Sequence, residues 1–191
     1  MMDLLLSSTE FMRWGAVIGA SLLAAVWDVR TGKIPNRLTG TLALLGLAFS
    51  LWRGGLPGLA EAGLTALFMA APFVLLFIVG GGGAGDAKLM GALGAWLALR
   101  AGAVVLVAVA VTGGVLAMLR ILAHRDRMRL LARLGTLLYV LMVGLYGGRR
   151  GLAPLMTGRD ESEELKASGV TMPYGPAIFI GVCIAAIWVH T

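Results

Sequence analysis

Long apolar runs, broken by short polar or glycine-rich turns, leave this chain few ways to fold. Stretches at 11–27, 38–52, 58–79, 101–122 and 174–189 carry little charge, and a shorter one covers 87–99. A backbone placed in hydrocarbon must satisfy every N–H and C=O within itself, and apolar runs of this kind do so as helices. Composition agrees, because 59% hydrophobic with only 14% charged residues lies outside the range of soluble domains. The expected fold class is therefore all-α, a polytopic membrane helix bundle with about six transmembrane helices, forming a single integral membrane domain over 1–191.

The formal charge of +6 does not point to nucleic acid, since the basic residues sit between apolar runs rather than on one continuous polar face. They cluster at Arg30, Lys33 and Arg37, and again from Arg120 to Arg133. Such loops are held on the cytoplasmic side, which places the N-terminus outside. Asp3 and Glu10 ahead of the first run argue for a retained span rather than a cleaved signal. The stretch 123–172 is expected to be a cytoplasmic connection. Within it, 134–147 is apolar but short and flanked by Arg133, Arg149 and Arg150, so an in-plane or re-entrant helix is expected there. A single cysteine, Cys183, excludes an intrachain disulfide, and His124 and His190 lie too far apart in this topology for a metal site. No metal or cofactor is expected.

Two acids break the pattern of the apolar segments. Asp28 ends the first run and Asp86 opens the fourth, and the predicted topology puts both at the cytoplasmic boundary. Two carboxylates a few ångströms apart hold one proton between them, because they do not ionise together easily. One then takes a proton from an attacking water while the other polarises a scissile carbonyl. Around Asp86, the glycines of 80–85 let the backbone kink and approach a substrate strand, and Lys88 favours the ionised acid. Taken alone, that turn is equally well explained by close helix packing with Asp86 as a helix cap.

Three motifs narrow the choice. Gly83-Ala84-Gly85-Asp86-Ala87-Lys88-Leu89-Met90 closely resembles the GxGD-x-K-L signature of the type IV prepilin peptidases. Asp28-Val29-Arg30-Thr31-Gly32-Lys33-Ile34-Pro35-Asn36 resembles their first-aspartate motif, and Pro173-Tyr174-Gly175-Pro176-Ala177 resembles the P-[FY]-G-P element that opens the family's last span. The resemblance implies an aspartic endopeptidase of the bacterial inner membrane that removes short basic leaders from prepilins or pilin-like proteins at the cytoplasmic face. It implies Asp28 and Asp86 as the catalytic dyad, with Gly83 and Gly85 shaping the active-site loop beside Lys88. Arg30, Pro35 and Asn36 would position the first aspartate's loop, and Pro173, Gly175 and Pro176 belong to the third motif. The paired Cys-x-x-Cys insert of the larger, N-methylating members is absent between the first two runs. The small size instead resembles the peptidase-only branch of the tight-adherence, or Flp-type, pili. Two other classes of function remain. A small transporter or channel would use the glycine turn as a cavity lining and Asp86 as a cation site, and a non-catalytic assembly partner of a secretion machine would keep the aspartates as structural groups.

Overall fold

The computed structural model describes residues 2–78, 83–123 and 174–190, and every regular element among them is a helix. In chain order these are α1 (Met2–Thr31), α2 (Asn36–Ile78), α3 (Ala84–Gly94), α4 (Leu99–Ala123) and α5 (Gly175–His190). Three of them, through Thr9–Thr31, Asn36–Ile78 and Leu99–Leu119, are long and apolar enough to cross a membrane, while Gly175–Val189 is a shorter apolar helix. The chain is thus an all-helical protein with membrane helices. The expected in-plane helix at 134–147 and Pro173 lie outside the described residues.

The runs expected as separate spans at 38–52 and 58–79 form one element, α2, broken only at Gly55 (φ 59, ψ −150). That combination is open to glycine and strained for any other residue, so the chain reverses there without a polar loop. Pro57 follows it in the first turn of the returning arm, where a missing N–H removes no helical bond. The reversal is visible in the contacts with α3. The first arm runs alongside α3 in the same direction, with Asn36 bonded to Lys88 and the Leu42 carbonyl accepting from Trp96 Nε1 at 2.8 Å. The second arm runs the opposite way, with Gly91 against Ala70 and Gly94 against Ala66.

Helix α3 ends at Gly94, earlier than the apolar stretch to Leu99 suggested. Residues Ala95 to Leu97 close it as a turn, through Ala95 N–H to Gly91 O and Trp96 N–H to Leu93 O, both at 3.1 Å. The turn buries Trp96, whose ring stacks on Phe49 at 5.4 Å. A close-packed interior gives little room for a further helical turn around an indole of that size.

Two groups of helices result. Helix α3 packs mainly on the two arms of α2, whereas α5 packs on α1 and α4, and direct contact between α1 and α3 is slight. Met69, Leu89, Met90 and Leu93 fill the first group, and Val17, Val105, Val109, Ile178 and Val182 fill the second, all completely buried. The large apolar residues that face outwards, Leu44, Leu67, Val107 and Ile187 among them, make the outer surface a lipid-compatible one. Trp27, Trp52 and Trp188 are among the exposed residues, whereas Trp14 and Trp96 are core residues.

Candidate active site

Asp28 lies at the start of the last turn of α1 and is buried at 7% exposure. A buried carboxylate needs donors, and one comes from the start of α5, where the Gly175 N–H bonds to Asp28 Oδ2 at 2.8 Å. Only glycine fits there. A Cβ on residue 175 would stand 2.9 Å from both Ala25 Cα and Asp28 Cβ. Pro176 follows in the first turn of α5, and the Tyr174 carbonyl accepts the Ile178 N–H at 3.1 Å to start the helix.

Asp86 sits in the first turn of α3, after Gly83 in an extended conformation. Its carboxyl folds back over that residue, so that a Cβ on Gly83 would meet Asp86 Oδ2 at 2.8 Å. The residue that caps α3 is Gly83, and Asp86 follows inside the first turn. Burial first, and then the negative charge of Asp28, push the Asp86 carboxyl from 3.8 up to about 7, while the Gly83 amide pulls the other way. The two aspartates, far apart in sequence, sense one another across the boundary between the two helix groups.

The loop joining α1 to α2 docks on the turn before α3. Gly32 takes a positive φ of 64°, its N–H bonded to the Asp28 carbonyl at 2.8 Å, and this ends α1 in a glycine cap. Ile34 is then buried against Gly85, where a Cβ would come within 3.3 Å of the Ile34 Cβ. Pro35 opens α2, its carbonyl accepting from Leu38 and Thr39. Lys88 Nζ donates to Asn36 Oδ1 at 2.9 Å and so ties α3 to α2. Arg30 is exposed. Thus Asp28, Asp86, Gly83, Gly85, Lys88, Pro35, Asn36, Gly175 and Pro176 gather at one end of the bundle.

Sequence reasoning passed over two neighbours. Tyr174 packs edge-on against Phe73 at 6.3 Å and its hydroxyl rests over Gly113 of α4, so the third motif binds α2, α4 and α5 together beside the dyad. The aromatic position of that motif was the available signal. Gly113 had none, because its value lies only in the room it leaves for Tyr174.

A bundle of apolar, membrane-type helices thus brings Asp28 and Asp86 to one end, close enough for the charge of one to act on the other. Residues 16–118 match the type IV leader peptidase family, and this chain belongs to that family. It is also 36% identical over 117 residues to the prepilin leader peptidase/N-methyltransferase of Burkholderia pseudomallei strain 1026b, and equally to that of strain K96243. The match covers 58% of this chain and 37% of each relative, so it spans little more than a third of those proteins. No solved structure matches the chain.

Proposed function

We propose that this protein is an aspartic endopeptidase that removes the short basic leader from prepilins or pilin-like proteins at the cytoplasmic face of the inner membrane. The observation that carries this reading is the approach of the half-buried Asp86 to the buried Asp28, near enough for one charge to act on the other, in a chain of the type IV leader peptidase family. In the proposed mechanism Asp86, its carboxyl raised to about 7, holds the shared proton near neutral pH and donates it towards the carbonyl oxygen of the scissile peptide. Asp28, oriented by the Gly175 N–H, takes a proton from the attacking water. Water adds to the carbonyl carbon; as the tetrahedral intermediate collapses and the C–N bond breaks, the leaving amine takes the proton that Asp28 removed from the water, and a hydroxyl proton of the intermediate returns to Asp86 as the new carboxyl group forms.

Arg30, Lys33 and Arg37 lie at the end of the bundle that carries the dyad, which favours placing that end in the cytoplasm. The antiparallel arms of α2, together with α1, α3, α4 and α5, then account for about six membrane passages. We read the activity as peptidase-only, of the Flp-pilus type, a reading supported by resemblance to the small members that lack the paired cysteines between the first two runs. Purified protein incubated with a prepilin-like peptide tests the whole reading. Cleavage at the leader junction is expected from the wild type and from neither Asp28→Asn nor Asp86→Asn; equal cleavage by either variant would refute it.

A further inference from the structure

The end of the bundle away from the aspartates holds a second polar cluster. Arg13 lies roughly 22 Å before Asp28 along α1, at 1.5 Å per residue. A cavity of about 180 Å³ opens at this level, and Arg13, Ser50, Arg53 and Glu61 are its polar lining. That volume holds a small polar group rather than one or two waters.

The charges in it are incompletely matched. Glu10 Oε1 meets Arg13 Nη1 at 2.9 Å but Arg53 Nη1 only at 3.7 Å, beyond a good hydrogen bond. Arg13 Nε is buried with no acceptor, an arrangement that is costly unless something further binds nearby. Glu61 Oε1 receives only a long bond of 3.4 Å from the Leu99 N–H among those described. Donors suited to a phosphate and an acceptor suited to an ammonium therefore line one small space. Trp52 and Leu56 beside it are each 76% exposed, as suits a membrane boundary, where an indole is a common anchor.

We propose that this cavity binds the headgroup of an amine-bearing phospholipid, with the phosphate on the Arg13 and Arg53 guanidinium groups and the ammonium on Glu61. A simple anion would set its charge against Glu61, and a simple cation would face two arginines. A zwitterion with a phosphate and a primary ammonium satisfies both, and its acyl chains lie along the exposed apolar surface by Trp52 and Leu56. The site is independent of the peptidase reading, because it shares no residue with the dyad.

Native mass spectrometry of the full chain in mild detergent tests this, with phosphatidylethanolamine, phosphatidylglycerol and phosphatidylcholine offered in turn. One phosphatidylethanolamine should be retained about tenfold more strongly than the other two, the size expected of one well-placed charged hydrogen bond. Glu61→Gln should bring phosphatidylethanolamine down to the level of phosphatidylcholine, whose quaternary amine cannot donate. Arg53→Gln should weaken retention of all three alike, with the helical circular dichroism unchanged. Should either variant fail to fold, the wild-type ranking decides by itself. Equal retention of the three lipids would overturn the proposal, as would displacement of phosphatidylethanolamine by millimolar inorganic phosphate, which would mark a free-anion site.

Discussion

At the scale of the residue, the site depends on a handful of atoms whose substitutions have distinct signatures. Asp28→Asn and Asp86→Asn should each lower cleavage of a prepilin-like peptide by at least roughly a thousandfold, and the double variant should be hardly worse, as groups that act as a unit are not additive. The pH profile supplies a second check. Asp86 must carry the proton to act as acid, and its carboxyl titrates near 7, so it is protonated below that value and loses the proton above it. The cleavage rate should fall as the pH rises through about 7, measured under kcat/KM conditions with membrane-embedded enzyme. A rate still climbing above that range would remove Asp86 from the role of acid. Gly175→Ala should be as damaging as loss of a carboxylate, because the added methyl meets α1 backbone and the Asp28 side chain at 2.9 Å. An overpacking cost of about 1–3 kcal/mol is expected, read as a lower melting midpoint in detergent together with lost cleavage.

At the scale of the element, two turns carry more than their length suggests. Gly55 reverses α2 at φ 59, and Gly55→Ala has room for its methyl but not the backbone freedom. It should destabilise the protein by roughly 1–3 kcal/mol without touching the chemistry, so thermal midpoint falls while the rate per folded enzyme is kept. The other turn is the α1–α2 loop. Lys88→Met cuts its bond to Asn36 and leaves Ile34 packed on Gly85. Activity should drop by roughly threefold to tenfold, the worth of one partly exposed charged hydrogen bond, and Asn36→Ala should match it. If Lys88 instead tuned Asp86 directly, the pH profile would shift in Lys88→Met and stay fixed in Asn36→Ala.

At the scale of the whole molecule, the dyad bridges two helix groups that touch little through α1 and α3 themselves, so its assembly depends on the loops and on α5. Reporters fused after Arg37 and Lys88 should both read the cytoplasm, and one after Gly54 the opposite side. Finding Arg37 and Lys88 on different faces would be incompatible with the contact between Lys88 and Asn36 and with a shared active site. The helical class and the placing of Asp28 and Asp86 at the ends of apolar helices were readable from the chain, because hydropathy and backbone satisfaction in a bilayer are local properties that each run carries with it. What bonds Asp28 was not readable. The donor is a main-chain N–H from Gly175, which has no side chain to betray it, and a main-chain contact between residues this far apart in sequence exists only once α5 has packed on α1. For the same reason Lys88, whose charge suggests an electrostatic partner for the adjacent acid, reaches Asn36 instead, since the direction of a long side chain is set by the helix face and the neighbour that tertiary packing presents to it.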